Sequence, residues 1–266
     1  MNKPKSIVAS AVLLMLLIGC VYGQGPSADA YIRLAEESNK TLDRDGSVAY
    51  YEKAAIEFEK LGNTQKLVNT YNQIGIILTR QDKYEKAKAF LGKALSTGLA
   101  SLEPNDPLLA TTYISLAVVS AAENRFDESL AFHDKALKIR LVKFGKNIAE
   151  VATSYGNIGN VYFRKKEYDH AIKAHLKGVR IREEVFVKDS PQIVESYRGL
   201  GNAYREKKHY KKAIGYFEMA LSNKIKQLGE GHKDLARYYN DISQVYLLSG
   251  DKTKADEFKT KAELPK

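Results

Sequence analysis

Hydrophobic and polar positions follow helical spacing along most of the chain. Tyr155, Ile158 and Tyr162 recur at intervals of three and four, Lys165-Lys166-Glu167 forms a polar break, and Ala171, Ile172, Ala174, Gly178 and Val179 mark a second apolar face. This pattern predicts two amphipathic helices joined by a short turn. No stretch alternates with period two for long enough to predict a strand. After residue 28 the prolines are Pro104, Pro107, Pro191 and Pro265. They fall between predicted pairs or at the chain end, where they interrupt no helix.

The hairpin is written several times. Ser154 opens SYGNIGNVYFRKKEYDHAI and Ser196 opens SYRGLGNAYREKKHYKKAI, forty-two residues on, with ten of nineteen positions identical. Steps of 42 lead from Tyr155 back to Tyr113 and Tyr71 and forward to Tyr197 and Tyr239, and a step of forty from Tyr71 reaches Tyr31. Three residues after each tyrosine stands Leu34, Ile74, Leu116, Ile158, Leu200 or Ile242. The next position holds Ala35, Gly75, Ala117, Gly159, Gly201 or Ser243. Two further columns hold Ser47, Ala87, Ser129, Ala171, Ala213 and Ala255, then Ala54, Ala94, Ala136, Gly178, Ala220 and Ala262. All eighteen residues of these three columns are Gly, Ala or Ser, so helix backbones are expected to cross closely there. A period of this length predicts a stacked array of hairpins.

The motif Tyr-x-x-aliphatic-small-x-x-Tyr, a Tyr ahead of Ala-Ile and an aromatic three before Ala resemble the tetratricopeptide repeat. The 42-residue step, with tails such as Ala136-Leu137-Lys138-Ile139-Arg140 and Gly229-Glu230-Gly231-His232, resembles the longer form found in kinesin light chains and many bacterial proteins. The resemblance implies an all-α, right-handed α-solenoid of about six helix-turn-helix units, near 28–61, 68–102, 110–144, 152–186, 194–228 and 236–266. It also implies an inner wall lined by the first helix of each unit. In the last unit the outer columns turn polar at Lys252, Lys259 and Glu263, as a terminal cap requires. The first unit is irregular, with Arg44 where others carry Tyr or Phe.

Ahead of the array the chain changes character. MNKPKS is basic, IVASAVLLMLLIG is an apolar run of thirteen, and Cys20 follows. Thirteen residues are short for a membrane span and suit the core of a secretory signal. Leu17-Ile18-Gly19-Cys20 resembles the bacterial lipobox, which implies cleavage before Cys20 and a lipid on its thiol. An ordinary signal cut after Val21-Tyr22-Gly23 is the alternative. The expected organisation is a signal peptide over 1–19, a linker over 20–27 and a solenoid over 28–266. The protein is then exported to the cell envelope and membrane-anchored through Cys20, or periplasmic or secreted. Cys20 is the single cysteine, so no disulfide forms within the chain and the fold rests on packing.

At 44% apolar and 28% charged, the composition fits a helix-rich folded chain. The formal charge of +10 falls to about +8 without Lys3 and Lys5 and invites an anionic partner. Nucleic acid fits poorly, because the aromatics fill core columns and leave no exposed stacking face. Lys165-Lys166, Lys207-Lys208 and Lys211-Lys212 recur at or beside one turn of adjacent units. They read as solvated turns, or alternatively as a ridge for an anionic glycan or lipid in a surface adhesin.

No cofactor, metal or catalytic constellation is expected. Thr41 to Gly46 with Glu52 approaches a calcium loop, with Asp43, Asp45, Gly46 and Glu52 in place. Thr41 stands where the first ligand should be Asp, and the repeat register assigns Asp43 to Gly46 to an inter-helix turn. His133 and His175 share a column with Tyr51, Leu91 and Phe217, so packing accounts for them. His170 and His175, five apart, are poorly aligned for a metal. No phosphate-cradling loop or nucleophile elbow appears, which argues against an enzyme.

The candidate function therefore falls to the inner wall. The wall positions are Asn72, Gln73, Ile76 and Arg80 in the second unit and Asn157, Asn160 and Arg164 in the fourth. The fifth adds Arg198, Asn202 and Arg205, and the sixth Asn240 and Gln244. In tetratricopeptide proteins such Asn and Arg side chains commonly clasp an extended peptide. An amide offers donor and acceptor together to a peptide backbone, and arginine offers a fork to carboxylates. The third unit is apolar there, at Ile114, Val118 and Ala121. The expected function is a non-enzymatic scaffold that binds an extended, acidic segment of another protein. An accessory subunit of an envelope enzyme complex is a further alternative.

Overall fold

The computed structural model describes residues 26–146, 148–185 and 193–263. The expected signal segment and Cys20 lie outside them. Twelve α-helices follow one another in pairs among the described residues. They are α1 (Ala28–Lys40), α2 (Arg44–Lys60), α3 (Thr64–Thr79), α4 (Tyr84–Ser101), α5 (Pro107–Ala122) and α6 (Phe126–Phe144). Then come α7 (Ala149–Arg164), α8 (Tyr168–Val185), α9 (Val194–Glu206), α10 (Tyr210–Leu228), α11 (Ala236–Ser249) and α12 (Lys252–Glu263), with one 3-10 turn at Lys233–Leu235. The fold is an all-α solenoid of helical hairpins. None of these helices is long and apolar enough to cross a membrane.

The chain divides into two compact units, one ending at Glu123 and the other starting at Asn124. In the first, α1 to α5 pack each on the next, and α3 also meets α5. In the second, α6 to α12 do the same, and α7 also meets α9.

The small columns are where these helices touch. Ser47 Oγ donates to the Ala35 carbonyl at 2.8 Å, and Ser243 Oγ to the Ala255 carbonyl at 2.7 Å. The same two columns thus face each other in the first and last hairpins, with the serine on opposite helices. Where the column of the first helix holds glycine, the second helix drives a large side chain into the gap. A β-carbon on Gly75 would stand 2.5 Å from Leu91, and one on Gly201 2.7 Å from Phe217. Leu91, Phe217, Ile74, Leu200 and Ile242 are fully buried. Each such side chain contributes about 1.5–3 kcal/mol through removal from water.

The turns inside the hairpins share one backbone solution. Leu42, Asp82, Asn124, Lys166, Lys208 and Gly250 all adopt positive φ, between 57° and 91°. The residue after the turn position returns its N–H to a carbonyl five back, as in Asp43 to Ser38, Glu167 to Tyr162 and Asp251 to Tyr246. This is the Schellman ending, which needs a left-handed residue just past the helix. Between hairpins, polar caps start the next helix. Asn63 Oδ1 accepts from Lys66 N at 3.2 Å, and Asp106 Oδ1 from Leu108 N at 2.8 Å ahead of Pro107.

Ion pairs tie one hairpin to the next. Lys66 meets Asp29 at 2.7 Å, Lys83 meets Asp45 at 2.8 Å and Lys165 meets Asp127 at 2.7 Å, while Lys207 pairs with Asp169. Two of the six lysines of the expected ridge, Lys165 and Lys207, are therefore neutralised. The Asp127 and Glu167 carboxylates hold the Lys165 ammonium well above its usual pKa.

Candidate functional site

In the second unit α7, α9 and α11 present a polar wall. Asn160, Asn202 and Gln244 occupy one register position of the three helices, and Asn157 and Asn240 flank them. Asn160, Asn240 and Gln244 are exposed, and Asn157 and Asn202 half-buried. The amides of Asn157, Asn160, Asn202 and Asn240 bond to no other described residue.

The arginines of the wall are engaged. Arg198 Nε donates to Asp241 Oδ2 at 2.9 Å, and its Nη1 lies 3.3 Å from Glu195 Oε2. Only 22% of the Arg198 side chain and 18% of that of Asp241 remain exposed. Burial works against the Arg198 charge, and the Asp241 carboxylate, with Glu195 behind it, more than offsets that, so the guanidinium is held firmly protonated. Arg198 and Arg237 both lie over the buried Tyr238 ring, at 5.4 and 4.7 Å from its centre. Arg205 Nη1 donates to Gln244 Oε1 at 2.8 Å, so Gln244 has an occupied oxygen. Arg164 folds back over Phe126, 5.3 Å from the ring centre.

Beneath the wall lies a layer of buried polar groups from the second helices. Arg182, on α8, is 8% exposed. Its Nη1 donates to Ser196 Oγ at 2.6 Å and its Nη2 to Thr153 Oγ1 at 3.2 Å. His175, also on α8, is 1% exposed and both ring nitrogens lack a partner among the described residues. Burial, with the Arg182 charge added, depresses its pKa to about 4. His133 on α6 is likewise buried and depressed to about 4, by burial and then by Arg140. Arg140 Nη1 bonds the Glu150 carbonyl at 2.8 Å and Ser154 Oγ at 2.9 Å.

The first unit departs from expectation at Asn72. Its side chain is fully buried, with Nδ2 3.4 Å from the Leu108 carbonyl. It cannot face an open groove, because α5 packs against α3 at this point. Gln73 and Ile76 are half-buried, Arg80 is exposed, and its carbonyl accepts from Arg44. Ile114 is half-buried, Val118 exposed and Ala121 buried, so this unit offers an apolar wall.

The residues that approached a calcium loop serve the turn. Asp43 Oδ1 caps α2 by accepting from Gly46 N at 3.0 Å, and Asp45 takes Lys83 and Gln81. No group of three His, Cys, Asp or Glu able to hold a metal exists among the described residues. His170 stacks on Tyr162 and sits 3.2 Å from Glu167, well apart in role from the buried His175.

Residues 66–141 and 150–226, more than half of the chain, match the tetratricopeptide repeat. The chain belongs to this family. No curated protein matches it. Among solved structures, BtubC (BKLC) from P. vanneervenii is 21% identical with a TM-score of 0.69, covering 88% of this chain and 90% of its own. A putative kinesin light chain repeat protein from Podosopora anserina is 14% identical with a TM-score of 0.65, covering 74% and 93%. A tetratricopeptide repeat protein from Parabacteroides merdae is 14% identical with a TM-score of 0.62, covering 91% and 81%. At these identities the likeness establishes the fold. Tetratricopeptide proteins are in general non-catalytic scaffolds that bind other proteins or peptides, and membership of the family supports a general protein-interaction role for this chain.

Asp241, Glu195, Tyr238 and Arg182 are absent from the expected wall. Asp241 shares its column with Asn157, two periods apart, so reading the column downward finds it. Arg182 lies on a second helix, outside the search for wall positions. Its signal is a pair of columns, basic at Arg140, Arg182 and Lys224 and hydroxylic at Thr112, Ser154 and Ser196.

Proposed function

We propose that the protein is a non-enzymatic scaffold whose second unit binds an extended, acidic peptide segment of a partner along α7, α9 and α11. One observation carries this reading. Asn157, Asn160, Asn202 and Asn240 stand on the wall with amides unspent within the described structure. A free amide pairs with both the N–H and the C=O of an extended backbone. Amides set at the repeat spacing suit a long segment better than a compact ligand. The arginines contribute by stiffening the wall, since Arg198 and Arg205 already have partners.

The likeness to BtubC (BKLC) and to the putative kinesin light chain supports reading the units as the longer, 42-residue form. So do the left-handed turn residues, spaced 40 or 42 apart. The Leu17-Ile18-Gly19-Cys20 signal supports export to the cell envelope with a lipid anchor on Cys20. Cys20→Ala should then move the protein out of the membrane fraction, whereas a mature N-terminus at Gln24 without an acyl group disproves the anchor.

The binding test uses short peptides selected by display on the wild-type protein. The triple change Asn157→Ala, Asn160→Ala and Asn202→Ala should weaken a selected peptide by about ten- to a hundredfold, roughly 0.5–1 kcal/mol per amide. Unchanged affinity, with the helical signal intact, defeats the reading.

A further inference from the structure

Among the described residues, Arg182 carries a buried charge without a counter-ion. Its two partners, Ser196 Oγ and Thr153 Oγ1, are hydroxyls, which orient the guanidinium and leave its charge uncompensated. Burial lowers its pKa, and no carboxylate among the described residues acts in the opposite direction. Arg198, by contrast, lies against Asp241. An isolated buried cation is costly, and structures tolerate one mainly where an anion completes it.

The guanidinium is approached from the wall. Gly156 on α7 stands in the column that holds Arg198 on α9 and Asn240 on α11. A β-carbon at Gly156 would find Arg182 Nη1 at 3.9 Å and no other atom of the described residues within 4 Å outside its own helix. The missing side chain therefore leaves a gap whose inner side is the guanidinium. Thr153 is exposed one turn before it, and Asn160 one turn after.

We propose that Arg182 is an anion subsite in the wall of the second unit, entered at Gly156, and that it takes the carboxylate of an acidic side chain in the bound segment. The subsite rests on the peptide-binding reading above and supplies the acid preference that Arg198 and Arg205 cannot, being already paired. A carboxylate at the gap accepts charge-assisted bonds from the remaining N–H groups of a fork that two hydroxyls have already oriented. The neighbouring His175 ring stays neutral down to about pH 4, so Arg182 is the group that draws the anion.

The test pairs each selected peptide with a twin in which Asp and Glu are replaced by Asn and Gln. Wild-type protein should bind the acidic peptide about ten- to a hundredfold more tightly than its twin. Gly156→Leu fills the gap, keeps Arg182 and suits a helix, so it should bring that ratio close to one while leaving thermal stability equal or higher. A second readout needs no peptide. The side-chain N–H signal of Arg182, assigned by its loss in Arg182→Lys, should shift on titration with glutarate in the wild type and stay fixed in Gly156→Leu.

Equal binding of both twins, with Asn160→Ala and Asn202→Ala abolishing each, removes the subsite and leaves the peptide wall standing. If no peptide is retained but glutarate moves Arg182 only while the gap is open, the wall reading fails and the anion subsite survives it. A response to inorganic phosphate without one to glutarate overturns the carboxylate assignment.

Discussion

Gly159 and His175 are a hole and the knob that fills it: a β-carbon at 159 would stand 2.8 Å from three atoms of the imidazole. Gly199 closes the ring from α9, with an equally short approach of 2.5 Å. The imidazole is buried and cannot swing aside, so Gly159→Ala should destabilise the protein by about 1–3 kcal/mol through overpacking. Gly92 and Gly215 sit inside α4 and α10 with nothing within 4 Å of a β-carbon. Alanine there should add about 0.5–1 kcal/mol by restricting the unfolded chain and favouring the helix. Urea unfolding of the three variants checks the opposite signs.

Acid should unfold the protein through its buried imidazoles. His133 and His175 take up a proton near 6.5 when unfolded and only at about 4 in the fold, because burial penalises the cation and Arg140 or Arg182 repels it. Between those values the unfolded chain binds more protons. Stability is therefore complete above about 6.5, drains as pH falls, and bottoms out below about 4, a loss on the order of 2–3 kcal/mol per ring. The same column already accepts Leu91 and Phe217. His133→Leu with His175→Phe should flatten this stretch of a plot of unfolding free energy against pH, and an unchanged slope assigns the acid sensitivity elsewhere.

The fold was legible because its determinants are local and repeated. Three small columns and a tyrosine column describe how one hairpin crosses the next, and Ser47 on Ala35 and Phe217 against Gly201 realise that geometry. The starts of α3 and α5, at Thr64 and Pro107, precede the expected units by a few residues. Their caps, Asn63 and Asp106, are polar and lie outside any hydrophobic period. The wall was harder to read, because one position on a helix says which way a side chain points and nothing about what stands opposite. Asn72 points inward, but α5 covers it. Arg198 was visible as a cation, whereas its neutralisation by Asp241, 43 residues on, depends on how two helices pair.

Left-handed turn residues offer stability that the chain leaves unused. Leu42 and Lys208 hold φ of 64° and 61° with side chains exposed to solvent. A β-carbon in that conformation costs about 1–2 kcal/mol, which glycine avoids at the expense of a more flexible unfolded chain. Leu42→Gly and Lys208→Gly should each raise stability by about 0.5–1 kcal/mol net. Asn124→Gly should gain less, since asparagine tolerates this region through its own local hydrogen bonds. Thermal melts of the three variants settle the order.

The Arg198–Asp241 pair should couple α9 to α11 rather than merely decorate them. The two charges lie 2.9 Å apart with about four-fifths of each side chain covered, so water screens them less than it does a surface pair. Removing either partner alone strands the other in a half-buried site. Arg198→Met and Asp241→Asn should each cost more than half of what the double change costs, giving a coupling of about 1 kcal/mol in a double-mutant cycle. The single change Asp241→Asn also frees a guanidinium on the wall, so it should strengthen binding of the acidic peptide while it weakens the fold. Opposite movements of affinity and stability in one variant require a charge that faces the ligand, and a purely structural pair would lower both.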